Sequence, residues 1–274
     1  MSLSHGMDRA ALDAAYDNSA AVADSAALLA DFDARSALLR SARPERIDLR
    51  YGPAGRNRID YFAAAAPGPV LVFIHGGYWQ MRQKETFSFL AEGPLAHGIH
   101  VALAGYTLAP EKPLGGIVDE VRNAMAWLAG HVAAYGGDPQ RLLVSGWSAG
   151  GHLAAMMLDE PMVKGGLAIS SIFDLEPVRL NYLNAKLGLD VAEARRLSPM
   201  FNLPVRPVPL ILACGDGELP ELQRQSATYA AVRAQAGLPG RLVRLPCLNH
   251  FTILEELARP AGQLTALVRE LAAV

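Results

Sequence analysis

Five short, nearly unbroken apolar runs constrain this chain more than any other feature. They are Val70–Ile74, Val101–Ala104, Leu142–Val144, Leu167–Ile169 and Leu210–Ala213. A strand with one face in water alternates apolar with polar residues, whereas a strand buried on both faces reads as a continuous run. Helically spaced stretches lie between the runs: Phe87–Ala96, Ile117–Tyr135, Ala149–Leu158 and Glu221–Ala236. Alternation of this kind predicts an α/β fold with a mostly parallel central sheet and helices on both faces. Leu242–Leu245 adds a last strand and Gly262–Leu271 a last helix. Upstream, Ile47–Tyr51 and Arg58–Phe62 alternate apolar with polar around Gly52-Pro53-Ala54-Gly55, which reads as an antiparallel hairpin.

Two segments stand outside that rhythm. From about Asp8 to Arg43 the chain has helical spacing (Leu28, Leu29, Phe32, Leu38, Leu39) with no Gly or Pro, and Pro44 ends it. The stretch from about Asp174 to Pro204 is longer than a simple connection and could cover the strand ends as a cap. No linker divides the chain. The expected organisation is therefore one α/β domain over residues 1–274, with an N-terminal helical extension at 1–43 and a small cap insertion at about 174–204.

Composition narrows the function. A net charge of -2 offers no electrostatic footprint for nucleic acid or an anionic membrane surface. No run approaches the roughly 18 apolar residues of a membrane span, and Met1–Arg9 lacks a basic segment followed by an apolar run. A cytoplasmic protein with no membrane association is expected. The His residues form no HExxH or Cys/His cluster, so no metal site is expected. Cys214 and Cys247 sit in or beside late apolar runs and read as reduced core thiols.

The chemistry is concentrated in loops after the apolar runs. Gly146-Trp147-Ser148-Ala149-Gly150 stands between a buried strand and a helix, a G-x-S-x-G match in the right context. A serine there occupies a strained turn with its hydroxyl above the sheet, and small residues two positions away let strand and helix approach. The Ala149 amide, at the helix N-terminus, is then placed to receive an oxyanion. His75-Gly76-Gly77-Tyr78-Trp79 follows Val70–Ile74, and its glycines let the amides of Gly76 and Gly77 turn toward a ligand. His75 reads as a brace for that loop rather than as a base. The expected base is His250, in Leu248-Asn249-His250-Phe251, because it alone follows Ser148 at the end of a late strand. Two acids compete in Cys214-Gly215-Asp216-Gly217-Glu218: Asp216 by residue type, Glu218 as the second choice. Glu221 is explained by a first helical turn. Tyr78 and Trp79, with Trp147, flank the site and are candidates for an aromatic wall that binds an aryl substrate.

With these motifs in hand, the chain resembles the kynurenine formamidases (arylformamidases) of the α/β-hydrolase superfamily over nearly its whole length. The resemblance is carried by Leu12-Asp13-Ala14-Ala15-Tyr16, by His75-Gly76-Gly77-Tyr78-Trp79-Gln80 and by Ser148-Ala149-Gly150-Gly151-His152-Leu153-Ala154-Ala155-Met156. It continues in Ile172-Phe173-Asp174-Leu175-Glu176-Pro177, Leu197-Ser198-Pro199, Pro220-Glu221-Leu222-Gln223-Arg224-Gln225-Ser226 and Asn249-His250-Phe251. It implies that the acid stands two residues before Pro220, at Glu218, where many members carry Asp. It also implies hydrolysis of N-formyl-L-kynurenine to L-kynurenine and formate without a metal or organic cofactor. The triad would be Ser148, Glu218 and His250. Cleavage of small aryl or acyl esters is the alternative, since the same machinery serves both. The partner expected is a small aryl formamide or ester, and a homodimer stays open.

Overall fold

The computed structural model describes residues 4–273. Eight strands form one sheet in the order β1-β2-β4-β3-β5-β6-β7-β8. They are β1 (Leu49–Arg50), β2 (Arg58–Phe62), β3 (Gly68–Ile74), β4 (His100–Ala104), β5 (Gly137–Trp147), β6 (Val163–Ile169), β7 (Leu210–Gly215) and β8 (Gly240–Leu245). β1 and β2 make the expected hairpin, with Leu49 opposite Ile59, and β2 runs antiparallel to β4. All pairings from β4 through β3 to β8 are parallel.

The apolar runs are buried on both faces because side chains alternate along a strand. Val70, Val72 and Ile74 enter one core, while Leu71 and Phe73 enter the core on the opposite face. Leu210 and Leu212 against Ile211 and Ala213 repeat the division. The first core is covered by α5 (Leu114–His131), α6 (Ala149–Met156) and α10 (Pro220–Gln235). The second is covered by α3 (Ser25–Ala42), by a 3₁₀ stretch at Lys84–Ala91 leading into α4 (Glu92–Leu95), and by α11 (Glu255–Ala258) and α12 (Gln263–Ala272). On α12, Leu264, Leu267, Val268 and Leu271 fall on one face at helical spacing.

The N-terminal extension is not one helix. It breaks into α1 (Arg9–Ala14), α2 (Asn18–Ala21) and α3. The first break falls at Asp17, whose side chain competes for a backbone amide, as that of Asp8 does where α1 begins. Asp8 accepts from the Ala11 amide at 2.9 Å and Asp17 from the Ala20 amide at 3.0 Å. Residues 174–204 hold three short helices, α7 (Glu176–Arg179), α8 (Asn184–Leu187) and α9 (Val191–Arg196). Among the described residues, no helix is long and apolar enough to cross a membrane. Both cysteines are free, and only Cys214 is a core thiol; Cys247 is exposed, on the turn that follows β8.

Candidate active site

Ser148 stands between the last residue of β5 and the first of α6, at φ 57°, ψ −121°. An L-residue pays for that backbone conformation, about 1–3 kcal/mol. Neighbouring contacts hold it there: the Ser148 amide donates to the Ile169 carbonyl at 2.8 Å, and its own carbonyl receives the Gly151 amide at 3.0 Å. The glycines are steric necessities. A Cβ on Gly146 would lie 2.2 Å from the Gly150 carbonyl oxygen, and one on Gly150 would lie 2.0 Å from that of Ile74. Gly151 is constrained as tightly, by the Ser171 hydroxyl at 1.7 Å.

The loop after β3 lies directly against this turn. A Cβ on Gly76 would be 2.7 Å from the Trp147 carbonyl oxygen and 3.1 Å from the Ser148 Cβ. Gly77 adopts φ +105°, and Tyr78 and Trp79 follow at 50° and 59°. Three successive residues in the left-handed region swing the loop amides out of any ladder. His75 braces the loop. Its Nδ1 donates to the Gly76 carbonyl at 2.8 Å, its ring stacks on Tyr106 at 4.3 Å, and Tyr106 donates to its carbonyl at 2.9 Å. Full burial pushes the His75 imidazole down to about 3, so it stays neutral.

The loops that carry His250 and Glu218 meet at the ends of β7 and β8. His250 Nδ1 lies 3.4 Å from Glu218 Oε2, with His250 3% and Glu218 5% exposed. That separation is long for an N–H···O bond, as hydrogen bonds of a resting site often are. The other carboxylate oxygen, Oε1, accepts from the Gly215 amide at 2.6 Å and from the Ser170 hydroxyl at 2.7 Å. Two donors on one oxygen turn the second oxygen toward the imidazole. Asp216 points elsewhere: its carboxylate receives the Cys247 amide at 2.6 Å, and its amide donates to the Leu245 carbonyl. It stitches the Glu218 loop to the His250 loop, and Gly217 adds a bond to the Leu248 carbonyl at 3.1 Å. Trp147 ties His250 to the Ser148 turn, its indole N–H donating to the His250 carbonyl at 2.8 Å.

Tyr78 and Trp79, expected to bind substrate, are occupied within the protein. Trp79 is fully enclosed and meets the His152 ring edge-on at 5.0 Å. Tyr78 uses its phenol on Tyr16 and Asn18. Both are packing and bracing residues because the left-handed loop turns them into the interior. His152 links α6 to the 174–204 segment by donating Nε2–H to the Leu197 carbonyl at 2.7 Å. Burial pushes its pKa down to about 4. Gln80 makes a parallel link to the Leu183 carbonyl at 2.8 Å.

Sequence reasoning missed Ser170 and Trp147 as supports, and assigned Glu221 only to a helix dipole. Ser170 had one signal: a polar residue directly after an apolar run, at the carboxyl end of a parallel strand, where sites of such sheets lie. Its φ of 52° could not be read from sequence. Among the described residues, no cluster of His, Cys, Asp and Glu is arranged to hold a metal ion.

A family model described as BD-FAE matches residues 62–160. The kynurenine formamidase of Salmo salar is 30% identical over 240 residues, spanning 81% of this chain and 80% of that protein. This chain belongs to the kynurenine formamidase family. Family membership makes it a hydrolase, and the Danio rerio relative agrees, at 30% identity over 84% of this chain and 82% of its own. A solved structure from Silicibacter sp., provisionally assigned as a thioesterase, superposes with a TM-score of 0.85 at 29% identity, covering 94% of this chain and 98% of that one. A Thermogutta terrifontis esterase shares the fold at a TM-score of 0.66 and 22% identity. The fold is thus that of the α/β-hydrolases.

Proposed function

We propose that this protein hydrolyses the formamide of N-formyl-L-kynurenine, with Ser148 as nucleophile, His250 as base and Glu218 as the acid that orients it. Similarity to kynurenine formamidases over about four-fifths of both chains carries the reading. The plant isoprenylcysteine methylesterases match at 33–35% identity but over only 42–43% of this chain.

Ser148 Oγ attacks the formyl carbon while His250 Nε2 accepts its proton. The carbonyl oxygen becomes an oxyanion, received by the amides of Gly76, Gly77 and Ala149; each such donor is worth about 3 kcal/mol of barrier. Glu218 accepts the Nδ1 proton of His250, which keeps Nε2 free as the acceptor and stabilises the imidazolium. His250 then protonates the departing aryl nitrogen, and L-kynurenine leaves. A water, activated by the same imidazole, releases formate from the seryl ester. Every proton is accounted for without a metal or organic cofactor.

Cleavage of small aryl or acyl esters is the second reading, favoured by the 0.85 TM-score to the provisionally assigned thioesterase. The test compares kcat/KM on N-formyl-L-kynurenine and on p-nitrophenyl acetate. Formamide turnover exceeding ester turnover is expected; brisk ester cleavage with negligible formamide turnover would replace the first reading by the second.

A further inference from the structure

The start of the described chain is built into the loop that lies against Ser148. Leu12, Tyr16 and Asn18 are buried, although they precede the sheet. The Tyr78 hydroxyl donates to the Tyr16 carbonyl at 2.5 Å and accepts from Asn18 Nδ2 at 2.7 Å. Tyr16 is itself anchored: its phenol donates to Glu221 Oε1 at 3.0 Å and accepts from Gln225 Nε2 at 2.7 Å. Glu221 is held by a bidentate pair with Arg224, at 2.7 Å for each contact. A continuous line of bonds therefore runs from α10, which begins two residues after Glu218, through Tyr16 to Tyr78.

Tyr78 is where that line meets the loop beside Ser148. It and Trp79 hold left-handed backbone conformations that L-residues leave when unrestrained. Fixing the Tyr78 side chain restrains the backbone that follows the Gly76 and Gly77 amides. His75 fixes the loop before Gly77, and the Tyr78 phenol is the first anchor after it, ahead of the enclosed Trp79 and the Gln80 bond to Leu183. Asn18 is a poor residue for stability alone. It is 4% exposed, and its Oδ1 has no partner among the described residues. An unmet buried acceptor is a cost, so the bond from its Nδ2 to Tyr78 is what an asparagine contributes here.

We propose that Asn18 and Tyr78 are positioning residues for the oxyanion site, through which the N-terminal segment holds the loop amides in their catalytic orientation. The proposal rests on the reading of residues 76–77 as oxyanion donors. Its consequence is that the segment before the sheet acts on turnover, with no contact to the reacting atoms.

The test uses the full chain with Tyr78→Phe, Asn18→Ala and the space-filling Asn18→Leu, each normalised to sites titrated with a fluorophosphonate. Removing the anchor should lower kcat per titrated site roughly ten- to a hundredfold, while KM changes less than about threefold. Phenylboronic acid, whose serine adduct places an oxygen in the oxyanion site, should lose affinity by the same factor. A role confined to folding would lower the titrated fraction and leave both kcat per site and boronate affinity alone. Values within twofold of the parent in Tyr78→Phe and either Asn18 variant would overturn the proposal. Ser148→Ala separates it from the reading it rests on: full activity there would sink the serine mechanism itself.

Discussion

At the residue scale, the two carboxylates after β7 do different work because they face different donors. Glu218 Oε1 takes the Gly215 amide and the Ser170 hydroxyl, leaving Oε2 for His250. Asp216 takes the Cys247 amide. In Glu218→Gln the amide oxygen belongs where the two donors are, so the NH₂ group is directed at His250 Nδ1. That forces the imidazole into the wrong tautomer, and kcat should fall on the order of 10³–10⁴-fold. Asp216→Asn keeps an acceptor for Cys247 and should lose less than about tenfold. Steady-state kinetics on the pair checks this; the reverse order would make Asp216 the acid. Ser148→Ala should abolish hydrolysis with the fold intact by circular dichroism. Ser148→Gly should also be inactive, yet raise the unfolding free energy by about 1 kcal/mol, since glycine relieves the φ of 57°. Urea titration measures that gain, and a loss of stability would contradict the strain argument. Ser148 and His250 were singled out in the sequence by chain order and loop position: Ser148 directly follows β5, and His250 lies on the loop that begins where β8 ends at Leu245. The choice of Glu218 over Asp216 came from the family resemblance and not from the local pattern. Two residues apart on one loop, they are separated only by which donors the fold brings to each.

At the element scale, the sequence predicted where strands and helices fall better than how they end. The turn between β5 and α6 was readable because its requirement is steric and local: Gly146 and Gly150 have no room for a Cβ. Gly150→Ala should therefore destabilise the protein by about 3 kcal/mol or more, as a methyl group is driven into the Ile74 carbonyl. A denaturant midpoint equal to the parent's would refute that packing. The N-terminal helix was over-extended to a single segment because helical spacing continues across Asp17 and Asp24. Tertiary anchoring at Tyr16 makes the Asp17 cap worth more than continued helix, and the chain turns there to reach Tyr78. Tyr78 and Trp79 were misread for a related reason. Proximity along the chain to Gly76 and Gly77 is no guide to side-chain direction when the backbone is left-handed.

Across the whole molecule, two buried imidazoles bind loops and segments together. His75 holds the loop after β3 and His152 joins α6 to residues 174–204. Burial lowers both, to about 3 and about 4, below the 6.5 of a free imidazole. Between those values and 6.5 the unfolded chain binds more protons than the folded one, so stability rises with pH. It is fully present above pH 6.5 and is lost as the pH falls toward 4, by up to about 1.4 kcal/mol per pH unit for each group. Urea midpoints measured from pH 7.5 to pH 4.5 should fall steeply, and His152→Gln should flatten the slope while keeping a donor for Leu197. An unchanged slope would mean that His152 is not held neutral. The mostly parallel sheet, the two buried faces of its strands and the turn that carries Ser148 are legible in the sequence alone, because apolar periodicity and steric need act over a few residues, whereas the strand order is a tertiary fact. Only the tertiary structure decided which donors face Glu218 and Asp216, that Trp79 is core, and that Tyr16 and Asn18 bond to Tyr78 in the loop after β3. Those depend on contacts between segments tens to hundreds of residues apart, and local patterns carry no record of them.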